Sequence, residues 1–139
     1  MNDNKCVLII DETLDEGVVA NVAAILSMSI GKEVEGLVGV DIPDGEGTVH
    51  SGLTQLPIPV LGASAEHIKE IRKKMIEQHP DDVRVFDFNN FSQEAHTYDE
   101  YICLLENATA ADIQYLGIAL YGHKNRVNKA TKGLSLMGR

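Results

Sequence analysis

The sequence predicts an α/β fold in three layers, a mixed four- to five-stranded sheet with helices on both faces, and three observations carry that reading. Residues 5–10 (KCVLII) are apolar at every position after Lys5, as in a strand covered on both sides. Further short β-branched runs follow, and between them lie stretches whose apolar residues recur every three or four positions. Gly, Pro and Asp residues punctuate the joins. With 139 residues and neither an internal repeat nor a linker, one domain spanning 1–139 is expected.

The first strand ends at Asp11. From Asp15 onward Val18, Val19, Val22, Ile25, Leu26 and Ile30, with Ala20, Ala23 and Ala24 among them, predict a helix buried on most of its circumference and closed by Gly31. Asp15 and Glu16 complement the dipole at its start. Residues 36–42 and 48–53 flank the Pro- and Gly-rich stretch 43–47, which fits a hairpin or an irregular excursion. Residues 58–61 (IPVL) make a second short strand, with Pro57 and Pro59 at its beginning. Ser64 as N-cap and Glu66 in the first turn open a helix that runs to about His79 and stops at Pro80. Its stripe of Ile68, Ile71, Met75 and Ile76 packs on the sheet while Lys69, Glu70, Arg72, Lys73 and Lys74 face water.

Residues 83–88 (VRVFDF) alternate and form a third strand. Thr97 and Glu100 are spaced as a capping box ahead of a short helix ending near Asn107. Residues 112–121 (DIQYLGIALY) read as another strand, 124–132 as a polar helix with Gly133 at its C-cap, and 134–137 (LSLM) as a short closing strand or tail.

The chain holds 12 basic and 21 acidic side chains, a net charge of −9. That balance disfavours nucleic acid and anionic membranes as partners, because neutralising phosphates needs positive charge at the contact. No run approaches the roughly 18 apolar residues of a membrane span, and the beginning of the chain lacks an apolar signal core, so a cytoplasmic location is expected. Cys6 and Cys103 each sit in an apolar run without Cys-x-x-Cys spacing and read as reduced core thiols.

Glycine-rich nucleotide loops, a Gly-x-Ser-x-Gly elbow and paired Cys or His at metal-ligand spacing are all missing, so no cofactor and no metal ion is implied. The place to look is topological, since ligands of open α/β sheets bind beyond the carboxyl ends of the strands, where helix N-termini also point. Asp11 ends the buried first strand, and its carboxylate either braces the following loop or serves a site. Asn21 puts an amide on an otherwise apolar helix, where burial would demand a hydrogen-bond partner or a ligand. His50 follows the 43–47 turn and is a candidate for the same rim. Charge is also uneven: residues 1–112 carry 7 basic and 21 acidic groups, or −14, whereas 113–139 carry Lys124, Arg126, Lys129, Lys132 and Arg139 and no acid, or +5. With His123 at a strand-to-helix junction, this segment suits local attraction of a phosphate or carboxylate. The ligand-binding candidates are therefore Asp11, Asn21, His50, His123, Lys124 and Lys129, and no residue receives a catalytic role.

Two segments resemble a known family. Residues 11–20 (DETLDEGVVA) are similar to the strand-to-helix segment of peptidyl-tRNA hydrolase II, and residues 127–137 (VNKATKGLSLM) to that family's closing Val-Asp-Lys-x-Thr-Gly-x-Leu-Lys-Leu. Residues 21–24 (NVAA), 119–124 (ALYGHK) and 129–134 resemble still more closely a family catalogued as domain of unknown function 2000. The resemblance implies a mixed sheet between helices, frequent dimerisation and a pocket near Asp11. It retains Asp11, Gly17 and Ala20, but the hydrolase's lysine, glutamine and histidine fall on Val18, Val22 and Ile25. Aliphatic side chains neither donate to an ester nor orient water, so peptidyl-tRNA cleavage is not implied.

The leading expectation is a small polar or anionic ligand near Asp11, Asn21 and the Lys129 segment. A hydrolase of an acyl or peptidyl ester pairing Asp11 with His50 or His123 is the first alternative. A homodimeric interaction module, using the apolar helix 18–30 or the surface around Tyr98 and Tyr101, is the second.

Overall fold

The structure, a computed structural model, describes residues 3–138. In chain order it comprises β1 (Asn4–Asp11), α1 (Glu16–Glu33), β2 (Ile42–Pro43), β3 (Val49–His50), β4 (Val60–Ala63), α2 (Ala65–Gln78), β5 (Val83–Asn89), α3 (Asn90–Glu94), α4 (Tyr98–Glu106), β6 (Tyr115–His123), α5 (Lys124–Ala130) and β7 (Ser135–Leu136). The main sheet has five strands in the order β5-β6-β1-β4-β7. β1 runs parallel to β4, pairing Leu8 with Val60 and Asp11 with Ala63, and antiparallel to β6, pairing Asn4 with His123. The sheet is therefore mixed, as expected from the sequence.

The unbroken apolarity of β1 now has its cause. Cys6, Leu8 and Ile10 face α1, meeting Val22, Leu26 and Ile30, while Val7 and Ile9 face the opposite layer, meeting Ile68, Ile71 and Met75 of α2 and Val127 of α5. Two separate cores thus share one central strand, and each large side chain buried there contributes on the order of 2 kcal/mol. On the neighbouring strand, β5 and β6 slip register between Phe88 and Asn89, which pair with Gly117 and Tyr115 and leave Leu116 as the extra residue. Gly117 lies under α1, where a Cβ would come within 2.7 Å of Val22 Cγ1.

Several expectations are corrected. α1 is buried along only one stripe, Val22, Leu26 and Ile30; Asn21 is exposed, and so are Ile25 at 41% and Met28 at 78%. The apolar periodicity describes composition around the helix, not cover. α1 also passes Gly31 and ends at Glu33, with Val34 N–H donating to the Ile30 carbonyl at 2.8 Å; the chain turns out at Gly36, whose φ is 78°. The segments flanking the 43–47 turn do form a hairpin, one of the two expected arrangements, but its regular pairing is confined to β2 and β3 plus an isolated bridge between Val38 and Thr54. The strand expected from 112 starts at Tyr115, because Ala110–Asp112 forms a 3-10 turn in which the Asp112 carboxylate accepts from Thr109 N–H at 2.9 Å and from its hydroxyl at 3.0 Å. α3 was not expected, and buried Asn89 explains it by accepting from the N–H groups of Phe91 and Ser92 at 3.0 and 3.1 Å. The Thr97 cap is present, accepting from Glu100 N–H at 3.1 Å, but Glu100 reaches His96 N–H rather than Thr97.

The two thiols separate. Cys6 is fully buried, which raises its pKa from 9.0 to about 11, whereas Cys103 is exposed on α4 and is not a core thiol. Because the thiolate is the nucleophile, native protein treated with iodoacetamide at pH 8 is expected to gain one adduct by mass spectrometry, on Cys103, and a second only in denaturant. Two adducts under native conditions would contradict the packing of β1. Among the described residues no helix is long and apolar enough to cross a membrane.

Candidate functional site

β1 and β4 are parallel neighbours, and the chain leaves them in opposite directions. From β1 it crosses through α1 over one face; from β4 it crosses through α2 over the other. A crevice at the carboxyl ends of such a strand pair is where open α/β sheets receive ligands. There the structure has an open cavity of about 710 Å³, lined by Glu12, Gly62, Ala63, Ser64, His67 and the stretch 133–138.

Each wall follows from local chemistry. Glu12 N–H donates to the Ala63 carbonyl at 3.0 Å, tying the loop after β1 to the end of β4. Ser64 is the N-cap of α2, its hydroxyl accepting from His67 N–H at 3.2 Å, and Ile68 N–H closes the first turn on the Ser64 carbonyl. The N–H groups of Ala65 and Glu66 have no acceptor within the helix and are left for solvent or a ligand. The third wall is made by the chain after α5, which turns at Gly133, φ 85°, so that β7 pairs antiparallel with β4 and Met137 N–H donates to the Val60 carbonyl at 2.8 Å.

His67 also lines a second cavity of about 290 Å³ with Glu70, Lys74, Lys129 and Lys132. Lys129 and Lys132 of the C-terminal segment thus stand beside the first half of α2. Chemically the arrangement offers amide and hydroxyl groups at a helix N-terminus, one carboxylate, one imidazole and an adjoining set of ammonium groups.

The sequence candidates distribute unevenly over this geometry. Asp11 lies at the end of β1 but is 4% exposed, and its Oδ1 accepts from the N–H and hydroxyl of Thr13 at 2.9 and 2.7 Å; it braces the loop. Lys129 lies in the adjoining cavity. Asn21 is exposed on α1, the helix that covers the other face from α2. His50 sits in the β2–β3 hairpin, where its Nε2 meets Asp44 Oδ2 at 2.8 Å; that contact and the N–H donors of Glu46 and Thr48 hold the Asp44 carboxyl below its ordinary range. His123 pairs with Asn4 at the far end of the sheet, its Nδ1 accepting from Asn125 N–H at 3.3 Å as the cap of α5, and Lys124 follows it there. Asp11, Asn21, His50 and Lys129 therefore do not converge. Glu12, Ser64 and His67 line the cavity without having been among the ligand-binding candidates, although Glu12 follows Asp11 at the strand end and Ser64 was legible as a helix cap.

A second polar cluster is structural. Arg72 Nε reaches Asp87 Oδ2 at 3.3 Å and its guanidinium lies 4.4 Å from the centre of the Tyr115 ring. Asn89 Nδ2 donates to Asp87 Oδ1 at 3.3 Å and to the Tyr101 hydroxyl at 3.4 Å. Burial raises the Tyr115 pKa, and the set fastens α2, β5 and α4 together.

Residues 4–138 match the family described as Protein of unknown function (DUF2000). Among solved structures, the chain is similar to a protein of unknown function, Atu0240, from Agrobacterium tumefaciens strain C58, at 23% identity with a TM-score of 0.86 over 98% of each chain. That likeness shows a shared fold. No curated protein matches the chain.

Proposed function

The chain belongs to the DUF2000 family, and we propose that it binds a small molecule bearing a phosphate or carboxylate in the crevice between the carboxyl ends of β1 and β4. The observation that carries this reading is the coincidence, in one cavity of about 710 Å³, of the point where the crossovers diverge and the capped start of α2. An anion placed there lies by the Ser64 hydroxyl at the start of α2, whose first N–H groups have no acceptor within the helix, with roughly 0.3–1 kcal/mol from the helix dipole. Lys129 and Lys132 add a favourable field from the adjoining cavity. The Glu12 carboxylate repels a second negative group and accepts from a hydroxyl or ammonium. The ligand class is therefore a polar molecule with one anionic end, not a polyphosphate.

The likeness of residues 11–20 to peptidyl-tRNA hydrolase II does not extend the proposal to that reaction. Val22, at the glutamine position, is fully buried in the core beneath α1, and His50 and His123 lie away from Asp11.

Amide shifts of isotope-labelled protein titrated with inorganic phosphate test the reading. The largest shifts are expected at Ala65, Glu66, His67 and Gly133. Glu12→Gln is expected to tighten binding and Lys129→Ala to weaken it, each by roughly two- to fivefold, as expected for one charge at partly solvated range. Shifts that avoid the start of α2, or weaker binding in Glu12→Gln, would overturn the site.

A further inference from the structure

Acidic side chains outnumber basic ones by 21 to 12, so a cation on this protein has many carboxylates to turn to. Arg72, Arg84 and Arg126 each meet one, Lys5 donates to the Asn128 side chain at 2.7 Å and Lys69 to the Ala110 carbonyl at 3.2 Å. Lys74, Lys129 and Lys132 do neither. Among the described residues none of the three makes an ion pair or a side-chain hydrogen bond, yet all three line the cavity of about 290 Å³ between α2 and the end of α5.

Backbone geometry brings them together. His67, Glu70 and Lys74 recur at three- and four-residue spacing and so form one flank of α2, beside the stripe that buries Ile68, Ile71 and Met75. Opposite, buried Thr131 closes the last turn of α5 by donating both its hydroxyl, at 2.8 Å, and its N–H, at 3.1 Å, to the Val127 carbonyl. That turn sets Lys129 and Lys132, three positions apart, on the wall of the cavity. Val127, Ile71 and Met75 share one core, which holds the two walls together. Three positive charges against the single carboxylate of Glu70 leave a formal +2 on the cavity, before any protonation of His67. Such a group repels itself, and a counter-anion relieves the repulsion. Ile71 and Met75 make the floor apolar, so an ion seated there is attracted more strongly than in open water.

We propose that this cavity is a second anion site, which takes the phosphate group of a phosphate monoester. A monoester keeps three terminal oxygens, one for each ammonium, whereas a carboxylate offers two oxygens and less charge. The site is separate from the crevice and does not rest on it. Lys74 stands nine residues after Ala65, about 14 Å along the helix, beyond the roughly 8 Å over which exposed charges interact at physiological salt.

Amide shifts under titration with inorganic phosphate, methyl phosphate and acetate test this. Both phosphates are expected to shift Lys74, Lys129, Ala130 and Lys132, and acetate to bind roughly tenfold more weakly. Lys74→Gln is expected to weaken phosphate binding at this set of amides by roughly three- to tenfold, while the titration of Ala65 and Glu66 stays within about a factor of two. Lys73→Gln removes the same charge from the same helix outside the cavity and is expected to change neither set. Both lysines are exposed, so each variant keeps the fold. Phosphate shifts at Ala65 and Glu66 with none at Lys74 and Lys132 would leave the crevice standing and overturn this site. Failure of methyl phosphate to bind, or equal losses in Lys74→Gln and Lys73→Gln, would overturn it too.

Discussion

Replacing Ile9 with alanine is expected to destabilise the protein by about 2–5 kcal/mol. Ile9 is fully buried at the middle of the central strand, in the core formed with Ile68, Ile71, Ile118 and Val127. Truncation removes apolar area from contact and leaves a void that neighbours held on two helices and a strand can close only in part. At this chain length the loss corresponds to a fall in Tm of roughly 7–17 °C. Val40→Ala, on the exposed hairpin, serves as the contrast and is expected to stay within about 0.5 kcal/mol. Urea denaturation measures both, and a cost below 1 kcal/mol for Ile9→Ala would contradict the two-sided burial of β1.

The second large effect is steric. Gly117→Ala places a methyl group 2.7 Å from Val22 Cγ1, with Ile10 and Leu26 each 3.4 Å away. Val22 is β-branched, helical and fully buried, so it has no free rotamer in which to retreat. The substitution is expected to cost about 1–3 kcal/mol through overpacking. Combined with Val22→Ala it is expected to cost less than the two separate losses added together, since each change accommodates the other. Strict additivity in that double-mutant cycle would mean that α1 does not rest on the bulged part of β6.

What was legible in the sequence was whatever depends on the chain's own periodicity. KCVLII announces its two-sided cover because no position alternates, and Ser64 announces a helix because a hydroxyl followed by a charged, striped segment has few other uses. Gly133 announced its turn for the same local reason. The extent of burial on α1 was not legible, because Ile25 and Met28 look the same in sequence whether the cover comes from within the chain or from elsewhere. Asp11 was identified as the end of β1, yet its carboxylate is occupied by Thr13, and it is Glu12, one position on, that lines the cavity. His123 does stand at the strand-to-helix junction the sequence indicated, but which end of the sheet that junction occupies depends on the direction of β6, and the reach of His50 depends on how far the hairpin projects; neither is encoded locally.

The crevice also has walls of unequal stability. β1, β4 and α2 belong to or border the buried cores, but the third wall is a two-residue edge strand, exposed at both positions. Short edge segments with few buried contacts open at far lower free energy than the global unfolding transition. Amide protons of β7 therefore exchange with solvent sooner than those of β1, and the cavity exists in full only while that strand is docked. A molecule held between α2 and the 133–138 stretch would spend part of its binding free energy on suppressing this local opening, so its affinity and the order of the C-terminal stretch would form one coupled equilibrium.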